Sequence, residues 1–568
     1  MGIRVGGHIG KVNGKELSYS EFVKTYMEKN QPVVVTGLMD DWKACKDWVC
    51  DDGKPNLQYF STHFGKSRVQ VAECGTREFT DQKRVEMSVM EFVDHWLENS
   101  LQEQSHASKS QFNGHPVLYL KDWHFVKVAE CGTREFTDQK RVEMSVMEFV
   151  DHWLENSLQE QSHASKSQFN GHPVLYLKDW HFVKEYPEYL AYTTPLFFCD
   201  DWLNLYLDNY RMHKDPDTHQ ANNEITCSDY RFVYMGAKGS WTPLHADVFR
   251  SYSWSANVCG RKQWLFLSPS HCNLVFDRNM KSTVYNIFDD VSEKEFPGFK
   301  EAIWLECTQE QNEIIFVPSG WYHQVHNLED TISINHNWFN AYNLPWVWNL
   351  LLSDYNEAKN YIEDIRDICD DFEGLCQRNL AANTGVVSTL EDFVIWYSYI
   401  YQQRGSCSMN FYDFFIFLTR FFLANLVQLC NLCRESKNSA QSSSPVARHL
   451  ALNLGSVRNV AFKIKSVGGL AGNNGFFLDI SEILDDPSFH NLCMGLEKVY
   501  GMIRTLQSCS FDIKKDLGDD FMELNSIRTY GSQVFTAQDL VRFIDDAVAE
   551  LGVPNVKEIV LPSERDAA

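Results

Sequence analysis

An exact internal repeat is the feature that most constrains how this chain can fold. Residues 71–127 recur without a single change as residues 128–184, so two identical copies follow one another. The repeats of solenoid proteins diverge, because each unit meets different neighbours. Exact identity indicates a very recent duplication or an error in the gene model, and the physical consequence is the same for both. A segment shaped for one place in a dense core cannot fill that place twice, so one copy's worth of sequence is predicted to be surplus.

The sequence that flanks the two copies predicts where the surplus lies. The strand-like run 67–72 leads into the first copy, and the run 175–180 continues from the second copy into residues 185–187. We therefore expect the end of the second copy to be built into the fold. The surplus is expected to loop out around residues 105–166, which are rich in Ser, Gln and His.

Two patterns of secondary structure divide the rest of the chain. Short β-branched and aromatic runs with Gly and Pro between them are typical of a β-barrel or sandwich. In this chain such runs lie at 32–36, 231–234 and 263–267. Two more strands are predicted within 313–338, on either side of the turn 327–330. Helical periodicity follows at 349–372, 390–403, 411–432, 447–465, 481–508 and 537–551, with a Ser-rich linker at 436–445. The chain is therefore predicted to have an α+β fold. Residues 1–340 are expected to form a barrel domain that begins with a mixed region (helix 18–28), and residues 341–568 a mostly helical region.

The composition limits the partners that the chain is expected to have. The net charge of −24 disfavours binding to phosphate backbones and is compatible with a basic protein or peptide substrate, so no nucleic acid is expected. The N-terminus lacks the apolar segment of a signal peptide, and the 16 cysteines have no regular spacing. Both observations favour the cytoplasm, with the nucleus left open.

The most apolar stretch of the chain, residues 411–432, is not expected to cross a membrane. It is interrupted by Asp413, Arg420 and Asn425, which are costly in lipid. A buried core helix is the favoured interpretation, and a homodimer through the C-terminal helices is the alternative.

His245 and Asp247 form an HxD pattern that is a candidate half of a metal site. About 2.5 matches to His-x-Asp/Glu are expected by chance in 568 residues with 19 His and 76 acidic residues, so the pattern alone is weak. A second match, 213–215, lies in a polar stretch and is interpreted as a solvated loop. The first match is predicted to start a strand, where residues i and i+2 point to one face.

Three histidines, His323, His326 and His336, compete to be the third ligand. His323 is favoured because the turn Pro318–Gly320 delivers it to the beginning of a strand, whereas His326 points to the opposite face. Two imidazoles and one carboxylate leave coordination positions open, which suits a non-haem Fe(II) oxygenase better than a structural metal.

A co-substrate with two carboxylates needs a buried cation for its distal charge. Lys262 is the candidate, because it stands at the start of the predicted strand 263–267. The remaining hydrogen bonds to such a ligand are assigned to hydroxyl and amide groups from Thr242, Tyr176, Asn335 and Asn337.

Four segments resemble the jumonji-C (JmjC) family of Fe(II)/2-oxoglutarate oxygenases: 245–247, 260–264, 317–323 and 334–338. The resemblance covers roughly residues 15–345 and implies a double-stranded β-helix of the cupin or jelly-roll type. The duplication departs from the family pattern and leaves Tyr119 as an alternative to Tyr176.

The resemblance also implies the cofactor, the co-substrates and the residues that hold them. Fe(II) would be bound by His245, Asp247 and His323. 2-oxoglutarate would chelate the iron, with its far carboxylate on Lys262 and Thr242, and O2 would be the second co-substrate.

Family members hydroxylate or demethylate protein side chains. The finer pattern at 229–234, 251–255 and 326–328 resembles a branch that implies lysine C4 hydroxylation of a translation termination (release) factor. One alternative is a histone N-methyl-lysine demethylase, which is disfavoured because no chromatin reader with paired-cysteine zinc spacing is present. The other is a non-catalytic cupin-like binding protein, which the complete triad and Lys262 disfavour.

Overall fold

The structure is a computed structural model that describes residues 3–78, 81–105, 126–129, 141–144, 174–210, 229–366, 409, 411–437, 445–467, 478–507 and 533–551. The chain divides into two compact units, one formed by Met1–Asp94 with Val174–Ala568 and the other by His95–Pro173. The second HxD match, Tyr119, the predicted helix 390–403 and most of the Ser-rich linker lie outside the described residues.

Eighteen strands are present in the described residues. They are β1 (Arg4–His8), β2 (Lys11–Asn13), β3 (Val33–Thr36), β4 (Arg68–Glu78), β5 (Asp81–Ser88), β6 (Val126–Ala129), β7 (Arg141–Met144), β8 (Leu175–Trp180), β9 (Arg231–Gly236), β10 (Trp241–His245), β11 (Tyr252–Cys259), β12 (Lys262–Leu267), β13 (Ile303–Gln309), β14 (Glu313–Val317), β15 (Tyr322–Asn327), β16 (Thr331–Trp338), β17 (Leu478–Asp479) and β18 (Gln533–Val534).

Twelve α-helices are present in the same residues. They are α1 (Tyr19–Phe22), α2 (Lys43–Asp47), α3 (Leu57–Phe64), α4 (Val89–Ser105), α5 (Phe182–Glu185), α6 (Trp202–Leu207), α7 (Leu344–Arg366), α8 (Phe411–Lys437), α9 (Pro445–Ser466), α10 (Ile480–Asp485), α11 (Pro487–Gln507) and α12 (Ala537–Glu550). Helix α1 is capped by Ser18 in a capping box with Glu21 and continues as one π-helical turn.

Two sheets form the core of the larger unit. One has five strands in the order β1-β13-β12-β15-β10, and the other has nine in the order β2-β3-β14-β11-β16-β9-β8-β4-β5. Consecutive strands from β9 to β12 alternate between the two sheets, as do β13 to β16. This arrangement is a jelly roll followed by helices, so the predicted α+β fold with a double-stranded β-helix is confirmed.

Strand β12 illustrates why the two sheets face one another. Trp264 and Phe266 point inward and join a buried cluster that includes residues from both sheets, such as Ile315 on β14. Leu265 and Leu267 point to the opposite side and pack under the irregular segments before β13. Both faces of β12 are therefore apolar beyond its first two residues, Lys262 and Gln263.

The region 313–338 forms three strands rather than the two that we predicted. Strand β14 ends at Val317, and the chain turns over Pro318–Gly320 before β15 begins. Proline donates no main-chain hydrogen bond, and Gly320 has φ +73°, a conformation that favours glycine. The turn moves the chain from one sheet to the other, which the hydrophobic pattern does not distinguish from a continuous strand.

Strands from both copies of the repeat meet at the end of the nine-stranded sheet. β4, which starts three residues before the first copy, and β5 come from the beginning of that copy, and β8 comes from the end of the second. Val71 on β4 pairs with Leu177 on β8. The unique residues next to the repeat also meet, because the hydroxyl of Ser67 donates to the Glu185 carboxylate at 2.6 Å. These contacts place the beginning of one copy beside the end of the other, and the surplus itself stays a prediction.

The smaller unit contains a second hairpin of the same register. β6 and β7 pair antiparallel with Val128 opposite Val142. The equivalent residues of the first copy, Val71 and Val85, stand opposite one another between β4 and β5. Identical sequences thus form the same strand pairing in both copies.

The C-terminal helices pack against the barrel. The ring of Phe421 on α8 stacks on Trp202 with centroids 4.6 Å apart, and Phe417 lies edge-on to Phe339. Among the described residues one stretch, Asp413–Leu432, is long and apolar enough to cross a membrane, but 78% of its most apolar part is buried inside the protein. The predicted core helix accounts for this burial.

Two predicted C-terminal helices have different bounds in the structure. The helix expected to start at 349 already begins at Leu344. The helix expected over 481–508 is split into α10 and α11 at Asp486, because the following Pro487 disfavours a helical conformation of the preceding residue.

Candidate active site

The two histidines of the predicted triad stand opposite one another on adjacent strands. His245 pairs in register with His323, and their ring centroids are 4.3 Å apart. His245 ends β10 rather than starting a strand, so the prediction of a strand start was wrong. Asp247 lies beyond the strand and reaches the same point because the chain turns immediately after it.

Each imidazole is oriented by a main-chain carbonyl two residues earlier. The Nδ1 of His245 is 2.8 Å from the Pro243 oxygen, and that of His323 is 3.1 Å from the Trp321 oxygen. Because Nδ1–H donates to these carbonyls, the lone pair is on Nε2 of each ring. Burial, with an added effect of the nearby His245, lowers the pKa of His323 to about 4, so the imidazole is neutral near pH 7.

The carboxylate of Asp247 completes the set. Its Oδ2 accepts a hydrogen bond of 2.8 Å from the hydroxyl of Ser253 on β11. His245, Asp247 and His323 each offer one nitrogen or oxygen atom, and these three atoms lie within 4.8 Å of one another. Among the described residues, this is the group whose atoms are arranged to share an ion. Two imidazoles and one carboxylate fit Fe(II) and leave positions for other ligands.

The turn after Asp247 is strained. Phe249 and Arg250 both have positive φ, at 55° and 51°. Non-glycine residues adopt this conformation at a cost of about 1–3 kcal/mol each, and such strain clusters at functional sites. Packing of Phe249 against Tyr230 and Phe339 holds the turn in place.

The two competing histidines lie away from the triad. His326 stacks on Trp241 with ring centroids 5.5 Å apart, on the other face of β15. His336 contacts the Tyr192 hydroxyl and lies 4.1 Å from the ring centroid of Trp254. Burial lowers the pKa of both imidazoles, which serve as neutral packing groups.

The triad opens into a pocket of about 460 Å3, a volume that includes its open mouth. Side chains from both sheets line it: Tyr176, Tyr234, Thr242, His245, Asp247, Ser253, Ser255, Lys262, Trp264, His323, Val325, Ser333 and Asn335. Most of the polar lining atoms are hydroxyls and amides, which suits a small polar ligand held by several hydrogen bonds.

Lys262 is the buried cation of this pocket. It is 2% exposed, and its Nζ donates to the Tyr176 hydroxyl at 3.1 Å. Burial lowers the pKa of Lys262 to about 7, because the charged form loses its hydration. A carboxylate in the pocket would restore the charge of this ammonium group.

The predicted co-substrate residues fall into two groups. Thr242, Tyr176 and Asn335 line the pocket together with Lys262. Asn337 does not line it, since its side-chain amide donates to Ser251 at 3.3 Å. The geometry gives no support to the predicted contact of Asn337 with a ligand.

Four polar residues of the pocket were not among the predicted site residues: Tyr234, Ser253, Ser255 and Ser333. Ser253 and Ser255 alternate with buried Trp254 and Ala256 on a strand whose residues are all buried. Polar side chains at alternate positions of a strand with Trp254, Ala256 and Val258 between and after them were the signal that could have identified this inner face.

The fold and the metal-binding trio define a cupin-like metal enzyme, and comparisons with known proteins agree. The cupin-like domain family matches residues 19–343. Arginine-specific demethylase JMJ20 of Arabidopsis thaliana is 48% identical over 545 residues, covering 96% of this chain and 97% of that protein. The 2-oxoglutarate and iron-dependent oxygenase JMJD4 of Danio rerio is 37% identical, over 66% of this chain and 70% of that protein. The JMJD4 of Homo sapiens is 30% identical, over 68% of this chain and 74% of that protein.

The chain therefore belongs to the JmjC family of 2-oxoglutarate- and iron-dependent oxygenases. The predictions of a dioxygenase, and of Fe(II), 2-oxoglutarate and O2 as its cofactor and co-substrates, are confirmed. The match to the Arabidopsis protein extends through the C-terminal helices as well as the barrel.

Proposed function

We propose that this chain oxidises a C–H bond on a cationic side chain of a protein substrate, with C4 hydroxylation of a lysine in a translation termination (release) factor as the first candidate. The observation that carries the proposal is that the triad and the buried Lys262 line one pocket. When bound to the triad, Fe(II) supplies O2 activation coupled to decarboxylation of 2-oxoglutarate to succinate and CO2.

The residues of the chain hold and orient the reactants. His245 and His323 present Nε2, and the hydrogen bond from Ser253 orients Asp247. Lys262, with the Tyr176 hydroxyl beside it, is assigned to the distal carboxylate of 2-oxoglutarate. Proton transfer from the substrate carbon to a protein base is not required, because the metal centre does the redox chemistry.

The charge of the protein supports a basic substrate. A net charge of −24 attracts lysine- and arginine-rich segments and repels nucleic acid.

We place the enzyme in the cytoplasm, where release factors act. A homodimer through the C-terminal helices remains a prediction.

Arginine demethylation is the second candidate. It is favoured by the Arabidopsis relative, which is named an arginine-specific demethylase and matches almost the whole chain. Oxidation of an N-methyl group would use the same triad and pocket, so only the position of the substrate side chain separates the two reactions.

Mass spectrometry of the product tests the proposal. The full chain would be incubated with Fe(II), 2-oxoglutarate and release-factor peptides, and in parallel with N-methylarginine and N-methyl-lysine peptides. A gain of one oxygen on lysine supports hydroxylation, whereas loss of a methyl group with release of formaldehyde supports demethylation. Succinate production without any change in a protein substrate would contradict both candidates.

Variants of the triad provide the matched control. His245→Ala and Asp247→Ala are each expected to reduce succinate formation by at least about a hundredfold, because a missing ligand costs metal affinity and activity. His326→Ala removes an imidazole on the opposite face of β15 and should retain most of the activity. Full turnover in both triad variants would refute the metal assignment.

A further inference from the structure

A second buried lysine lies next to the candidate co-substrate pocket. Lys178 stands two residues after Tyr176 on β8, and it is only 2% exposed. Its Nζ donates to the side-chain oxygen of Gln82 at 2.8 Å. Among the described residues no carboxylate forms an ion pair with it, so its charge is compensated only through space.

The two buried ammonium groups flank one tyrosine. The Nζ of Lys178 is 5.2 Å from the ring centroid of Tyr176, and the Nζ of Lys262 is 5.5 Å from it. Burial lowers the pKa of Lys178 to about 8, with the positive charge of Arg84 adding to the effect. The positive charge of Lys178 in turn disfavours the charged form of Lys262.

The nearby carboxylates do not balance these charges. Asp179 pairs with Arg84 and accepts a hydrogen bond from the Tyr234 hydroxyl, and Asp81 also pairs with Arg84. Both carboxylates thus pair with Arg84, and among the described residues neither Lys178 nor Lys262 has an ion-pair partner. Buried charge without a partner is costly, so this wall of the pocket is suited to an anionic ligand.

We propose that Lys178 is a positioning residue for the co-substrate, which selects a 2-oxo acid that carries a distal carboxylate. Lys178 does not line the pocket but lies behind Tyr176, so it acts through the electrostatic field and through the orientation of that ring. The inference rests on the proposed use of 2-oxoglutarate by this site and adds a residue to its recognition.

The lysine also connects the pocket to the edge of the sheet. Gln82, which accepts from Lys178, donates to the main-chain oxygen of Trp241 at 3.0 Å, next to the pocket residue Thr242. Gln82 comes from the first copy of the repeat and Lys178 from the second. Residues from both copies therefore lie behind this side of the pocket.

Binding of two 2-oxo acids to the Fe(II)-loaded full chain under anaerobic conditions tests the inference. One is 2-oxoglutarate, and the other is 2-oxopentanoate, which has a methyl group in place of the distal carboxylate. Calorimetry on Lys178→Met should show about tenfold weaker binding of 2-oxoglutarate, as expected for loss of one nearby charge in a partly shielded site. Binding of 2-oxopentanoate should change less than about twofold, because it lacks the charge on which Lys178 acts.

Two further variants complete the design. Lys178→Arg keeps the charge and should largely restore the preference for 2-oxoglutarate. Lys121→Met changes the same residue within the identical local sequence of the other copy and should leave both affinities as in the unmodified chain. If Lys178→Met does not fold, as judged by circular dichroism, Lys178→Gln tests the same loss of charge with a polar group left opposite Gln82.

The outcomes are distinguishable. If the unmodified chain binds neither acid, the proposed function fails. If it prefers 2-oxoglutarate and Lys178→Met keeps the same preference, the role of Lys178 is refuted while the proposed function stands. A loss of preference in Lys121→Met alone would also refute it.

Discussion

Each of the three metal-facing side chains is held from behind by one hydrogen bond. His245 and His323 donate to main-chain carbonyls two residues earlier, and Asp247 accepts from a serine on a neighbouring strand. The rings and the carboxylate are thus oriented before any ion arrives. Such preorganisation lowers the cost of binding a metal, since little side-chain freedom remains to be lost.

The ionisation of Lys262 predicts how binding of 2-oxoglutarate depends on pH. Burial lowers the pKa of this lysine to about 7, with Tyr176, Cys259 and Lys178 as the nearby titratable groups. A dianion binds the protonated form, so above pH 7 binding must take up a proton. We expect affinity to weaken by up to about tenfold per pH unit from pH 7 to 9. Calorimetry in buffers of different ionisation enthalpy would measure the proton uptake.

The same pKa shift affects stability in the absence of the co-substrate. The folded pKa lies below the unfolded one, so between about pH 7 and 10 the unfolded chain binds more protons and stability rises with pH. Lys178, whose pKa is also lowered, contributes in the same direction. Lys262→Met should remove part of this slope, and an unchanged slope would contradict the assignment.

At the scale of single elements, the edge hairpin shows how the repeat is used. Arg84 on β5 pairs with Asp179 on β8, so that a residue of the first copy contacts a residue of the second. The counterpart of Arg84 in the second copy is Arg141, on β7 of the smaller unit. The two arginines have identical neighbours in sequence but belong to different units.

Replacing the two arginines separately is expected to have unequal effects. Arg84→Ala should lower the free energy of unfolding by about 1–2 kcal/mol, because it removes charged hydrogen bonds from a partly exposed pair. Arg141→Ala leaves the Arg84–Asp179 pair intact and should lower it by less. Urea denaturation of the full chain would measure both. Equal losses would show that the two copies exchange places in the sheet.

At the scale of the whole molecule, the helical region is bound to the barrel by apolar and polar contacts. Helix α8 presents Phe421 to Trp202, and the buried Asp200, just before α6, contacts His449 on α9 at 3.0 Å. The apolar surface of α8 is thus largely used inside the chain. A dimer interface would have to be built from other surfaces of the C-terminal helices.

The Phe421 contact should therefore contribute strongly to stability. Phe421→Ala removes a fully buried ring that is stacked on Trp202, and it is expected to cost about 3–5 kcal/mol. The matched control is Phe462→Ala, because Phe462 on α9 is 51% exposed and should lose little. Guanidinium denaturation would measure both variants. Similar losses in the two would contradict the assigned packing of α8 on the barrel.

Several features of the fold and the site were predictable because they depend on local patterns. The turn before His323, the run of short strands and the position of Lys262 at a strand start all follow from neighbouring residues. The strand-start prediction for His245 failed because His245 ends β10 and Asp247 lies just before a turn with positive φ at Phe249 and Arg250, which no hydrophobic period reveals. Similarly, strand pattern alone does not distinguish Asn335, which lines the pocket, from Asn337, which donates to a serine.

The amino-acid sequence specifies which groups are available: two imidazoles, a carboxylate and a lysine in contexts that suit a ferrous oxygenase, and an exact repeat of 57 residues. Which of these groups meet depends on the fold. It paired β10 with β15 so that His245 faces His323, and it joined β4 of one copy to β8 of the other. Side-chain chemistry is a property of single residues, whereas strand pairing depends on hydrogen bonds and packing between segments far apart in the chain.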